Sequence, residues 1–236
     1  IRNLVARSPD RKNDRDDHHD AHGESEGRVG IGVLSPAALV CEEKPEWVLR
    51  EYKPSTKKAP PESREYGCSV NYAIPEVRVW LLSIMEEVAN RFDVDGIEFN
   101  FTRLAECFPL AVLSTSHSIM TDFIRQVRTM LNTAGEQKGR DLILGVRVLQ
   151  QLKGCQQVSL DIPTWITEDL IDYVAPGDFG FTDFNETYED FTSIARAHNC
   201  YVYPQLQPRL SIDDTDRIME IAQYRAAIQN FYGAGA

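Results

Sequence analysis

Asp95-Gly96-Ile97-Glu98-Phe99-Asn100-Phe101-Thr102-Arg103 is the stretch that decides the fold. Apolar and polar side chains alternate strictly, so a strand here puts Ile97, Phe99 and Phe101 on one face and Gly96, Glu98, Asn100 and Thr102 on the other. A carboxyl, an amide and a hydroxyl on an inner strand face are costly unless they are hydrogen-bonded or wet. In an α/β barrel such groups gather at the C-terminal strand ends, where active sites lie. The stretch therefore predicts a barrel strand whose tip carries a site.

Working outward, helical and strand patterns alternate at short spacing from about Tyr66, the signature of βα units on a parallel sheet. Pro75 opens a helix through Arg91, with Val77, Leu81, Ile84, Met85 and Val88 on one face and the proline suited to its first turn. A second helix spans about Ser116 to Leu131 and leads through Gly139-Arg140-Asp141 into a strand at Leu142–Val148. A short helix at Pro163–Leu170, a strand at Ile171–Pro176, a helix from about Tyr188 to His198 and a strand at Cys200–Pro204 follow. A last helix is expected over about Asp213 to Tyr232.

The first sixty-odd residues differ, being rich in charge, Gly and Pro, with strand-like material at Leu4-Val5-Ala6 and Ile31-Gly32-Val33-Leu34. The segment at about 10–65 reads as a long loop, either part of the site or poorly ordered. About five strands are legible, whereas a closed (β/α)8 barrel needs eight and about 250 residues. The expected fold is thus a partial (β/α)8 TIM barrel, one domain over 1–236, lacking the first units and the last strand. A complete small open-sheet domain is the alternative.

With 236 residues and 42% hydrophobic composition the chain can bury one substantial core. Its formal net charge of −11 argues against nucleic acid, whose phosphates must be met by Lys and Arg. No apolar run approaches the roughly 20 residues of a membrane helix. The five cysteines lack Cys-x-x-Cys spacing, which disfavours a zinc knuckle or a dense disulfide framework and makes most of them buried thiols. A serine nucleophile elbow and a phosphate loop are both missing from the sequence. Oligomeric state and localisation are not encoded.

Four segments in order, Asn71-Tyr72-Ala73-Ile74-Pro75-Glu76-Val77-Arg78, Asp93 through Arg103, Gly145-Val146-Arg147-Val148, and Thr164-Trp165-Ile166 with Ile171–Pro176, resemble the bacterial family 10-like glycosyl hydrolases, a group of TIM-barrel proteins. Lys12-Asn13-Asp14, with His18 close behind, is similar to that group's Arg-Met-Asn-Asp segment. The resemblance covers most of the chain from about residue 10. It implies a secreted or cell-envelope enzyme of polysaccharide degradation that cleaves glycosidic bonds without a redox cofactor, and it places Asn13, Asp14 and His18 in the sugar site. At two positions the chain departs from the group: Asn100 stands where a second carboxylate is common, and Lys12 where Met is.

Glycoside hydrolysis normally uses two carboxyl groups, one protonating the leaving oxygen and one acting as nucleophile or activating water. Glu98 is the first, as general acid/base. Arg147 on the next strand lies within reach of it, either in a structural ion pair or as the group that orients a catalytic carboxyl; both can hold at once. Asp178, just past the strand ending at Pro176, is the candidate second carboxylate, with Asp183 and Asp14 competing and a turn role for Asp178 as the alternative. Asn100 could grip a sugar hydroxyl or bond to neighbouring backbone. Arg103 could clamp a uronate carboxylate or make a surface ion pair. Tyr203 and Gln205 share a strand face and supply a flat apolar surface and an amide, a mixture that fits a polyol, whereas Trp80 and Trp165 sit on helical segments and read as packing.

Asp14, Asp16, Asp17, His18, His19, Asp20 and His22 are the densest run of metal-ligating types, but they match neither a His-Glu-x-x-His helix nor an EF-hand loop and read as a solvated loop. No metal site is assigned, and a metal-dependent hydrolase using this cluster stays open as a third reading. The function expected is a glycoside hydrolase acting on an oligo- or polysaccharide; its rival is a carbohydrate-binding or scaffold barrel without catalysis, motivated by Asn100.

Overall fold

The computed structural model describes residues 43–49, 69–102, 105–178, 180–184, 186, 188–212 and 215–236, with backbone alone for 211–212 and 215–217. The strand-like segments at 4–6 and 31–34, the cluster from Asp14 to His22, and Cys41 and Cys68 all lie outside the described residues.

Helix α1 (Pro75–Arg91) starts on its proline and buries Val77, Leu81, Met85 and Ala89, one residue per turn. Strand β1 (Gly96–Asn100) follows. Helix α2 (His117–Lys138) buries Met120, Phe123, Ile124, Val127, Leu131 and Ala134 and runs two turns beyond the expected end. It stops at Gly139, whose φ of 67° is the left-handed C-terminal cap that glycine adopts without Cβ conflict. Then come β2 (Ile143–Val148), α3 (Leu152–Gln157), α4 (Ile162–Thr167), β3 (Tyr173–Pro176), α5 (Glu189–Ala195) and β4 (Tyr201–Val202). The Asp161 side chain caps α4 by accepting from Thr164 N and Thr164 Oγ1.

The four strands form one parallel sheet in the order β1-β2-β3-β4. This is a mixed α/β fold with helices against the sheet. The helix-side face carries Ile97, Phe99, Leu144, Val146, Val148, Val174 and Val202, all buried in one core with α1, α2 and α4. Phe99 meets Phe123 edge-on at 6.0 Å, and Phe101 packs against Trp165 at 6.2 Å. Trp165 is fully buried with its indole N–H donated to Thr121 Oγ1, the packing role expected of it. Arg128 of α2 ties that helix to the sheet by donating to Leu142 O, Leu170 O and Asp172.

The last segment differs from expectation. Arg209–Ile212 (β5) and Thr215–Ile218 (β6) pair as an antiparallel hairpin, and the final helix α6 begins only at Ile221, running to Gly233. Leu210 and Ile212 alternate with polar neighbours ahead of Asp213-Asp214, a strand-and-turn pattern, and the helix starts at a Glu220/Gln223 capping box. The hairpin docks on the loop after β3 through Thr182 N to Arg209 O.

Candidate functional site

The sheet face away from the helices is built in rows. Register places Glu98, Gly145, Tyr173 and Tyr201 side by side across β1 to β4. One step toward the C-terminal ends, Asn100, Arg147 and Ala175 form the next row. Pairing with β3 continues past β4 through Tyr203 N to Val174 O and Gln205 N to Pro176 O, so Tyr201, Tyr203 and Gln205 stay on this face. From these rows Glu98, Arg147, Tyr173, Ala175, Tyr201, Tyr203 and Gln205 line an open basin of about 850 Å³, to which Asp95, Ile143, Asp172 and Gln207 also contribute.

Glu98 stands at the β1 end of the first row. Its side chain is 11% exposed, and both carboxyl oxygens are engaged: Oε1 accepts from Arg147 Nε at 2.7 Å and Oε2 from the Tyr173 hydroxyl at 2.6 Å. The ion pair expected from the sequence is thus present. A guanidinium and a phenol on one carboxyl are strong, directional donors. They fix the plane of the carboxyl and use both oxygens as acceptors. Gly145 makes this arrangement sterically feasible, because a Cβ there would overlap the Tyr173 ring and hydroxyl.

Three tyrosines give the basin an aromatic wall. Tyr173 and Tyr203 meet edge-on at 5.6 Å, and Tyr201 and Tyr203 stack at 6.1 Å with planes 15° apart. Tyr201 is 67% and Tyr203 55% exposed, which leaves their rings available to a ligand. Gln205 is buried and donates Nε2 to Ala175 O at 2.7 Å, so its amide nitrogen is committed to the scaffold.

The remaining expected residues are placed as follows. Asn100 turns its carbonyl oxygen back onto Thr102, accepting from both its N–H and its hydroxyl, the backbone-bonding alternative rather than a free amide. Asp178 is exposed, does not line the basin, and accepts through Oδ1 from Gly180 N at 2.7 Å and Phe181 N at 3.3 Å, a local turn of the kind weighed for it. Asp183 accepts from Gln150 Nε2 at 3.3 Å. Asn13, Asp14, His18 and Arg103 lie outside the described residues.

Among the described residues, the carboxylates that share the basin with Glu98 are Asp95 and Asp172. Both precede their strands and so lie toward the N-terminal ends. Asp172 is held by Arg128 and by Leu144 N; Asp95 faces Arg140 at 3.5 Å. A second acidic group, Asp178, Asp183 and Glu186, gathers beyond the C-terminal end of β3 near Tyr188, whose hydroxyl is pushed well above its ordinary range by burial first and by those charges second. No group of three or more metal-ligating side chains is assembled among the described residues, and none of their helices is long and apolar enough to cross a membrane.

Tyr173, Tyr201 and Gly145 were not singled out in the sequence. Alternation in Asp172-Tyr173-Val174-Ala175 and Tyr201-Val202-Tyr203 does carry the two rings to the face of Glu98. Comparison with known proteins gives no matching family model and no matching curated protein.

Proposed function

We propose that this chain is part of a (β/α)8-type glycoside hydrolase in which Glu98 is the catalytic carboxylate and the open sheet face binds a carbohydrate. The barrel reading is supported by strand order without reversal and by a sheet whose apolar face meets the helices while, among the described residues, no helix covers its polar face; a doubly wound sheet would reverse its order and cover both faces. A single observation carries the chemistry: a largely buried glutamate, held at both oxygens by Arg147 and Tyr173, on the floor of a tyrosine-walled basin. Tyrosine rings offer apolar platforms to sugar faces, and a carboxyl held in one plane is a group able to attack an anomeric carbon or activate a water.

The carbohydrate-binding reading without hydrolysis is favoured by a different observation. Among the described residues, the basin carboxylates besides Glu98 are Asp95 and Asp172, at the N-terminal strand ends, and Asp172 is bound to Arg128. Release of reducing ends from a broad glycan panel, compared between the full-length protein and Glu98→Gln, decides between them. Turnover lost in the variant supports hydrolysis. Glycan binding that survives the substitution, with no turnover by either protein, supports the binding module.

A further inference from the structure

We propose that Gly145 is a positioning residue: its missing Cβ opens the path by which the Tyr173 phenol crosses β2 and fixes the Glu98 carboxyl. Glu98 and Tyr173 occupy the same row but on strands two apart, about 9.6 Å at ordinary strand spacing. They can meet only by lying across the strand between them, over whatever side chain stands at position 145. With glycine there, the Tyr173 hydroxyl reaches Glu98 Oε2 at 2.6 Å. A methyl group at 145 would fall on Tyr173 Cζ, Cε1 and Oη, with no other residue among its nearest neighbours. Those atoms are the far end of a side chain bordering an open basin, so relief comes from tipping the ring away, which breaks its bond to Glu98. Arg147 alone would then hold the carboxyl, through one oxygen.

The proposal rests on Glu98 as the reacting carboxylate for its kinetic consequence alone; the steric part can be read without turnover. In protein labelled at the tyrosine ring Cζ, Tyr173→Phe identifies the Tyr173 resonance, and Glu98→Gln should shift it. Gly145→Ala should shift it as well, and Glu98→Gln added to Gly145→Ala should shift it no further. An unmoved resonance in Gly145→Ala, or one that still responds to Glu98→Gln in that background, overturns the proposal. If Gly145→Ala does not fold, Gly145→Ala with Tyr173→Ala removes the ring in the way and should fold; failure of that double variant also overturns it. On a glycan the protein cleaves, Tyr173→Phe and Gly145→Ala should each lower kcat about tenfold or more with KM little changed, and the pair should be no worse than Tyr173→Phe. Absence of turnover with the expected resonance shifts would sink the hydrolase reading and leave the positioning of Glu98 standing.

Discussion

Arg147 stands opposite Asn100 in the β1–β2 ladder, yet its guanidinium turns back one row and donates Nε to Glu98 Oε1 at 2.7 Å. Asn100, passed over, closes its own turn with Thr102 instead. The strongest donor on the face thus goes to the most buried acceptor, which is what the cost of an unpartnered carboxyl in low dielectric demands.

Arg147→Met should therefore destabilise the protein by about 1–2 kcal/mol: the carboxyl is largely buried, but Arg147 is 37% exposed and solvent screens part of the pair. Glu98→Gln added to Arg147→Met should recover part of that loss, since a neutral amide tolerates the missing cation. Urea unfolding of the two single variants and the double variant measures the coupling, and strict additivity would contradict it.

Arg128 offers a sharper test of why a guanidinium is needed. Its three nitrogens reach Leu170 O at 2.9 Å, Leu142 O at 3.0 Å and the Asp172 carboxylate, joining α2 to the starts of β2 and β3. Lysine is a single point of charge and cannot span three acceptors in a fork. Arg128→Lys should cost about 2 kcal/mol despite keeping the charge, as two buried carbonyls lose their donor. Equal thermal midpoints for the variant and the parent would refute this.

Much of the sheet was legible because its signals are local. Apolar residues at helical spacing after Pro75 marked out α1 with its observed bounds, although Ile84 and Val88 are only half-buried, and alternation in Asp95–Arg103 parted Ile97 and Phe99 from Glu98. The Glu98–Arg147 pair was legible too, since both residues share a face on consecutive strands. Tyr173 was not, because it lies two strands from Glu98 and its role depends on a gap in the strand between them, and register between strands is not written in either segment alone. The hairpin at 209–218 was lost to a competing pattern: Ile218, Ile221 and Ala222 continue a helical spacing that masks the alternation before Asp213.

Gly96 should behave unlike Gly145. A Cβ at 96 would overlap the backbone nitrogen, carbon and oxygen of Ile143 rather than a side-chain tip, and backbone at the head of a paired strand cannot tip aside. Gly96→Ala is expected to cost about 3 kcal/mol, the upper end for overpacking, by pushing β1 from β2. Its thermal midpoint should fall well below that of Gly145→Ala; the reverse order would show that the two close approaches are misjudged.

Cys155 and Cys200 yield a prediction in pH. Both are buried and free, and burial first of all pushes each thiol from an ordinary 9.0 up to about 12, with Asp172 adding to the rise at Cys200. Each group keeps its proton in the folded chain between those values and loses it in the unfolded chain, so the unfolded state binds fewer protons there. The stability tied to these thiols is complete below pH 9 and is lost progressively as pH rises toward 12. Iodoacetamide at pH 8 should accordingly leave both unmodified in the folded protein and alkylate both once urea unfolds it, as peptide mass mapping would record. Ready modification of either in the native state would mean that its surroundings open to solvent far more often than their packing implies.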